Sequence, residues 1–348
     1  MCLVAPTFRI EARTAKGIPE RLTDQEFWRL SSDLSEPDGV FRSDNLVSNE
    51  AWLQHVIPDL VKLVSRDRGR VYVGVGPEQN FTYMAAVRPA MAFILDIRRG
   101  NLDLHLMYKA LFELSANRAE FVSRLFSRPR PAGLTDRSTA VDIFSAFAGA
   151  DRSQSLHDEN LAAIRRQLVA NHGFALADRD WSGIEYALDA FSTFGPRINY
   201  LSTGTDSYGG GLLPTYADLM TATDEAGIAH SFLNSEESFQ FLKQMESKNL
   251  VVPIVGDFAG SKAIRALGGY LKERETTVSA FYVSNVELYL QREMSWGSFC
   301  RNVVSLPLDA SSVVIRSAFD GRYGKGFGLN SDVGLLLPHV DRCLPSQQ

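Results

Sequence analysis

The sequence predicts an α/β fold: an open, mostly parallel sheet of Rossmann-like type carrying a large helical insertion. Three observations predict it. Two short apolar runs rich in β-branched and aromatic residues, Val71–Val75 and Met91–Ile97, are each followed by helical periodicity. The same strand–helix alternation returns at Leu250 and continues to about Ser317. Between them, from Pro129 to about Leu250, no long strand signal appears. Such alternation implies parallel strands joined by right-handed crossovers.

The first helix signal is Thr23-Asp24-Gln25-Glu26, where Thr23 caps and Glu26 completes a capping box. Pro37-Asp38-Gly39 reads as a turn. Trp52, Val56, Leu60 and Leu63 recur at helical spacing, so an amphipathic helix is expected from Asn49 to Arg66. The strand Val71–Val75 ends at Gly76-Pro77, and a helix is expected over 79–88. After the second strand one long helix is expected, from Asn101 to about Phe126. Helices are expected over 158–172, 181–194, 216–226 and 235–248. A glycine-rich stretch, Thr203 to Pro214, has the composition of a closing loop or of an ordinary connector. Then follow a strand (250–255), a helix (261–274), a strand (278–283), a mostly helical stretch (286–303) and a strand (312–317). The organisation expected is residues 1–125, N-terminal helices plus the first half of the sheet domain; 126–249, a helical insertion; and 250–348, the second half and a glycine-rich tail.

The chain has 348 residues and a net charge of −5. That excludes a simple basic nucleic-acid binder, which needs a positive face for phosphates. No apolar run reaches the ~18 residues of a membrane span. The longest candidate, Met84 to Ile97, is cut by Arg88, Pro89 and Asp96. The N-terminus has no secretory pattern. Cys2, Cys300 and Cys343 match neither a disulfide frame nor a zinc site, and are expected to be free thiols in a reducing cytoplasm. The six histidines form no short metal-ligand pair, so no metal is expected.

Three stretches at predicted strand ends carry the chemistry. Gly74-Val75-Gly76-Pro77-Glu78 lets the backbone pass close to a ligand, and Asp96, 20 residues after Gly76, stands where a carboxylate meets ribose hydroxyls. Gly256-Asp257-Phe258 ends the third strand; an acid beside an aromatic can bind an adenine amino group and cover the ring, or Asp257 can cap a helix. Ser284-Asn285-Val286-Glu287 ends the fourth strand, where Asn285 can orient an acceptor and Glu287 can take a proton or bind an amine; both also suit a helix start. The third glycine of the dinucleotide fingerprint is absent, and Glu78 opposes a pyrophosphate but attracts a sulfonium or amino cation, which favours S-adenosylmethionine over NAD. Arg98 and Arg99 keep NADP as the alternative, since arginine there suits a 2′-phosphate. His105 and Lys109 share a helix face that reads either as crevice lining or as core.

Taken together, these motifs resemble the class I S-adenosylmethionine-dependent methyltransferase superfamily, over about residues 45–125 and 250–320. More closely, Gly74-Val-Gly-Pro-Glu-Gln-Asn-Phe-Thr-Tyr83, Asp96-Ile-Arg-Arg99, Val255-Gly-Asp-Phe-Ala-Gly260 and Ala280-Phe-Tyr-Val-Ser-Asn-Val-Glu287 resemble a family of uncharacterised bacterial proteins. The superfamily resemblance implies S-adenosylmethionine as cofactor. It places Gly74, Gly76, Pro77 and Glu78 at the methionine end, Asp96 at the ribose, and Gly256, Asp257 and Phe258 at the adenine. Asn285 and Glu287 fall at the catalytic motif. That motif lacks the paired prolines of amino-methylating enzymes, so a nucleic-acid base or amide nitrogen is not the expected acceptor; a small molecule or a protein is. The alternatives are an NADP-dependent oxidoreductase and a catalytically silent binding protein of the same fold.

Overall fold

The computed structural model describes residues 16–64, 69–204, 213–324 and 329–341. Six strands form one sheet: β1 (Val71–Val75), β2 (Met91–Asp96), β3 (Val251–Val255), β4 (Val278–Ser284), β5 (Val313–Ala318) and β6 (Asn330–Leu335). Their spatial order is β3-β2-β1-β4-β5-β6. The first five are parallel, and β6 runs antiparallel to β5. Fourteen α-helices accompany them among the described residues. The protein is therefore α/β with a mostly parallel mixed sheet.

Val73 of β1 faces Phe93 of β2 on one side and Phe281 of β4 on the other, so β1 is central. Strands β1, β2 and β3 are buried throughout, as strands covered on both faces must be. The chain moves outward one way through β1, β2 and β3, then returns to the opposite side of β1 for β4 and β5. At such a reversal a crevice opens at the strand carboxyl ends.

No strand of the sheet lies between Asp96 and Val251 among the described residues. The expected helix over 101–126 is two helices, Arg99–Leu114 and Arg118–Phe126. They part because Ser115 turns its hydroxyl back onto the Leu111 carbonyl and the Asn117 side chain caps the second helix at Glu120 N–H. The first is buried on every face from Asn101 to Phe112. It packs between β2 and β3 on one side and the helices Asp178–Phe194 and Glu236–Ser247 on the other. An aromatic cluster joins the insertion to the helix after β1. Phe81 lies 5.4 Å from Phe232, Phe112 4.7 Å from Phe121 and 5.3 Å from Phe239, centroid to centroid. Each such buried ring contributes on the order of 2–3 kcal/mol.

Before β1 the expected helix over 49–66 shrinks to Ile57–Leu63. Pro58 explains it: lacking an N–H and clashing with the preceding turn, it is accommodated at a helix start. The 286–303 stretch likewise splits, into Val286–Arg292 and Trp296–Ser305, at Met294 with φ +57°. The Thr23–Glu26 capping box forms, with Glu26 N–H on the Thr23 hydroxyl at 3.2 Å.

The polar segment 36–48 crosses the strand ends. Glu36 N–H binds the Val255 carbonyl at 2.8 Å, Gly39 N–H binds the Ile97 carbonyl at 2.9 Å, and Arg98 reaches the Asp44 carbonyl. The Glu36 carboxylate accepts N–H groups of Asp257 (2.8 Å), Lys262 (2.6 Å) and Ala263 (3.0 Å). It thereby supplies the negative end that the helix Ala263–Glu273 wants at its start.

Cys300 is disulfide-bonded, which corrects the expectation that this thiol is free. Spacing alone could not foresee the pairing, because connectivity depends on the fold. No described helix is long and apolar enough to cross a membrane. Residues 205–212, most of the glycine-rich loop expected over 203–214, lie outside the described residues, as do Cys2 and Cys343.

Candidate functional site

A crevice of about 1010 Å³, open mouth included, lies at the carboxyl ends of β1 to β4 beneath the 36–48 segment. Five of the residues singled out from sequence meet on its wall: Gly76, Asp96, Asp257, Phe258 and Asn285. They come from four different strand ends, which is what the motif order requires.

The turn after β1 is held from within. Asn80, one helical turn on, donates its amide to the carbonyls of Val75 (2.9 Å), Gly76 (3.1 Å) and Pro77 (2.8 Å). Its own carbonyl accepts the Tyr72 hydroxyl at 2.8 Å. Gly76 sits at φ +76°, where a side chain is disfavoured. Gly74 does not line the crevice. A Cβ there would lie 2.0 Å from Asn80 Oδ1 and 2.7 Å from the Tyr72 ring, so this glycine makes room for the clamp. Pro77 gives its carbonyl to the same clamp and also stands off the wall. Gly256 is a packing glycine too: a Cβ would meet that of Ala263 at 2.4 Å.

Glu78 turns inward rather than toward the crevice. It is fully buried and accepts Ser48 N–H at 3.1 Å. Burial pushes its carboxyl up to about 8, against the hydrogen bonds from its own and the Ser48 amide, with Glu50 adding repulsion. A neutral, enclosed acid holds the strap, not a cationic ligand. Glu287 is likewise off the wall. Its side chain leaves the first turn of the helix Val286–Arg292 toward the sheet edge. There it meets His339 and lies 3.8 Å from Arg316.

Asp96 is committed but not closed. One oxygen accepts the Arg98 backbone N–H (2.9 Å) and Nε (3.2 Å), the other accepts Nη2 (3.2 Å). A carboxylate has about four acceptor positions, so one remains. Arg99 pairs with the Asp180 carboxylate, with Nη2 at 3.0 Å. Asp257 accepts Ala259 N–H at 2.8 Å and caps no helix. Phe258 stacks on Phe281 at 5.8 Å, with planes 3° apart. Asn285 precedes the helix Val286–Arg292 without capping it through its side chain, so its amide is not spent there. His105 reaches the turn from beneath, and Lys109 is drawn away to Glu113 at 2.8 Å.

Sequence reasoning missed Glu50, Gln79, Tyr282 and Ser284. Tyr282 donates its hydroxyl to Glu50 Oε1 at 2.7 Å, and Gln79 Nε2 donates to the Tyr282 oxygen at 3.0 Å. Ser284 adds a second donor to the same Oε1. It does so from φ +49°, after a shift in the pairing of β4 with β5. Irregularities of this kind re-aim a side chain at a strand end. Glu50 is 6% exposed, and burial raises its pKa against the hydrogen bonds from Ser284 and Tyr282; Ser317 also helps hold its charge, without a hydrogen bond of good geometry. The crevice wall thus carries four carboxylates, Glu50, Asp96, Asp257 and Glu293, and no lysine, arginine or histidine among the described residues.

No curated protein matches the chain. One family model, described as a domain of unknown function (DUF7790), matches residues 46–330, a span that includes all the strand ends above. The protein belongs to the DUF7790 family.

Proposed function

We propose that the crevice binds S-adenosylmethionine, and that the protein is a methyltransferase-like member of the Rossmann class acting on a small-molecule or protein acceptor. The observation that carries the reading is the acidic lining: four carboxylates, of which Asp96 is paired with Arg98 behind it, and no basic side chain among the described lining residues. Such a wall favours a cationic ligand and repels phosphates. The strand order, which reverses at β1 and so opens a crevice at the strand carboxyl ends, also supports it. NADP loses its support, because Arg98 is engaged by Asp96 and the Asp44 carbonyl, and Arg99 by Asp180.

The residues present fit the group. The remaining acceptor position on Asp96 suits a ribose hydroxyl, and Phe258 offers an aromatic edge to a base. When bound, S-adenosylmethionine supplies an electrophilic methyl group. Asn285 orients the acceptor, and the 36–48 segment excludes water from the crevice.

Calorimetry tests the reading. The native protein is expected to bind S-adenosylmethionine, and Asp96→Ala to bind it about tenfold more weakly or not at all. No binding, or unchanged binding in the variant, overturns the assignment. A rise in NADPH fluorescence on titration would instead favour the oxidoreductase.

A further inference from the structure

The crevice has two chemically different sides. Asp96 and Asp257 follow β2 and β3, on one side of β1. The helix Val286–Arg292 follows β4, on the other. Val286, Tyr289, Leu290 and Glu293 are spaced i, i+3, i+4 and i+7, which is one helix face, and all four line the crevice. That face is an apolar stripe running outward from Asn285 to an exposed carboxylate. Phe41 joins it from the 36–48 segment: its ring meets that of Tyr289 edge to face, at 5.3 Å and 80°. Arg42 Nη2 donates to the Tyr289 hydroxyl at 2.7 Å. The segment is thus tied to the end of β3 through Glu36 and to this helix through Arg42, and spans the crevice between them.

We propose that the acceptor is an uncharged, apolar small molecule, seated under the 36–48 segment against Val286, Tyr289 and Leu290, with its reacting group beside Asn285. A charge taken out of water needs a partner. For an anion the lining offers none, since no lysine, arginine or histidine stands on it among the described residues. For a cation the stripe offers only Glu293, which is exposed and therefore worth little. An apolar body loses nothing on leaving water there and gains the contact of Phe41, Leu290 and their neighbours. Size follows from the roof. A polypeptide laid across the strand ends meets the tied segment, whereas a small molecule fits beneath it.

Transfer to such a body breaks the methyl–sulfur bond, whose electron pair stays on sulfur. A lone pair of the acceptor's heteroatom forms the new bond to the methyl carbon, and the heteroatom's proton leaves to water. The word acceptor rests on the function proposed above; the apolar seat itself rests on the lining alone.

The test is calorimetric titration of the full-length protein at pH 7 with p-butylphenol, p-ethylphenol and the anion p-hydroxyphenylpropionate. Each is titrated alone and with saturating S-adenosylhomocysteine. One buried methylene is worth about fourfold in affinity. The butyl compound is therefore expected to bind about tenfold tighter than the ethyl compound, and about tenfold tighter than the anion. Val286→Glu sets a carboxylate on the stripe at the first position of its helix, where the dipole favours it. It is expected to weaken p-butylphenol about tenfold. Val141→Glu, at an exposed position of the helix Ala140–Phe147, is expected to leave that affinity unchanged. Equal affinities for the three ligands, or undiminished p-butylphenol binding in Val286→Glu, overturn the proposal. Should Val286→Glu fail to fold, Val286→Thr, of the same shape, decides it by a loss of about threefold. Displacement of p-butylphenol by S-adenosylhomocysteine shows that the stripe belongs to the cofactor and overturns the acceptor assignment. Binding that depends on chain length and on Val286, in a protein that takes no S-adenosylhomocysteine, upholds the apolar seat and removes the cofactor reading instead. Label passing from methyl-labelled S-adenosylmethionine into protein of a cell extract overturns the choice of a small molecule.

Discussion

His105 Nε2 stands 2.9 Å from the carbonyl oxygen of Gly76, so a buried imidazole supports the turn from below. Burial lowers its pKa to about 4, against the help of that carbonyl and of Asp96. The ring is neutral and donates its Nε2 proton. In the unfolded chain the same ring takes up a proton near pH 6.5. Between those values the unfolded state binds more protons, so this group's contribution is full above about pH 6.5 and is lost as pH falls toward 4. Its size is on the order of 3 kcal/mol. In urea denaturation, His105→Gln should show a smaller deficit from native at pH 5 than at pH 7.5. A deficit that grows in acid would be inconsistent with a neutral histidine.

The imidazole of His172 makes the opposite prediction. Its Nδ1 lies 2.6 Å from Asp24 and its Nε2 2.7 Å from Glu113, which joins the insertion to the first helix. Burial alone would lower its pKa and Lys109 opposes its charge, but the hydrogen bond and charge of Glu113, with Asp24, raise it overall. A raised pKa gives stability that is full below about pH 6.5 and is lost as pH rises through the folded-state value. The deficit of His172→Gln, read from urea midpoints, should therefore shrink from pH 5.5 to pH 9. A constant deficit would mean that only packing against Phe174, 4.9 Å away, is being measured.

Gly74 and Gly76 should respond differently to alanine. Gly74→Ala forces a methyl into the space of Asn80 Oδ1 and the Tyr72 ring. That overpacking should cost about 1–3 kcal/mol and loosen the clamp on three carbonyls. Gly76→Ala meets only side-chain amides of Asn45 and Gln79 at 3.3 Å but must hold φ +76°. Its cost should be about 1–2 kcal/mol, with the loss of ligand binding out of proportion to the loss of stability. Thermal denaturation and calorimetry on both variants separate the two effects.

Glu287→Gln should leave the crevice intact. Its carboxylate faces His339 and Arg316 at the β5 edge, not the ligand. The expected outcome is S-adenosylmethionine binding within about threefold of native, with stability lowered by about 1–2 kcal/mol through the lost charge. Abolished binding in a folded variant would restore Glu287 to the site.

Much of the sheet was legible because its strands are short, β-branched and bounded by glycine or proline. Val71–Val75 forms as predicted, and the Gly76, Asp96, Asp257, Phe258 and Asn285 positions converge because strand ends in a parallel sheet converge. Helix lengths were less legible. Apolar periodicity runs straight through Ser115–Asn117 and through Pro58, and only the side-chain caps and the missing N–H break it. Glu50 was illegible for a different reason. It precedes its partners Tyr282 and Ser284 by more than two hundred residues and belongs to no local pattern. Glu78 and Glu287 show the limit of motif reading: each stands in the right segment and points the other way.

The insertion also bears on how the chain comes off the ribosome. β2 ends at Asp96 and its outer neighbour β3 begins at Val251, while β4, the other neighbour of β1, begins at Val278. At 5–20 residues per second, roughly 8–30 s of synthesis separate the first two strands from the third. Throughout that interval β1 and β2, if paired, would present a two-stranded ribbon with both edges open, a template for unwanted pairing. The helix Gln79–Val87, made between the two strands, packs on β1, and the helix Arg99–Leu114, made directly after β2 and buried against it, is the next element available to cover the ribbon. The nascent chain should therefore depend on holdase chaperones most between the emergence of β2 and that of β3, and least once β4 has paired.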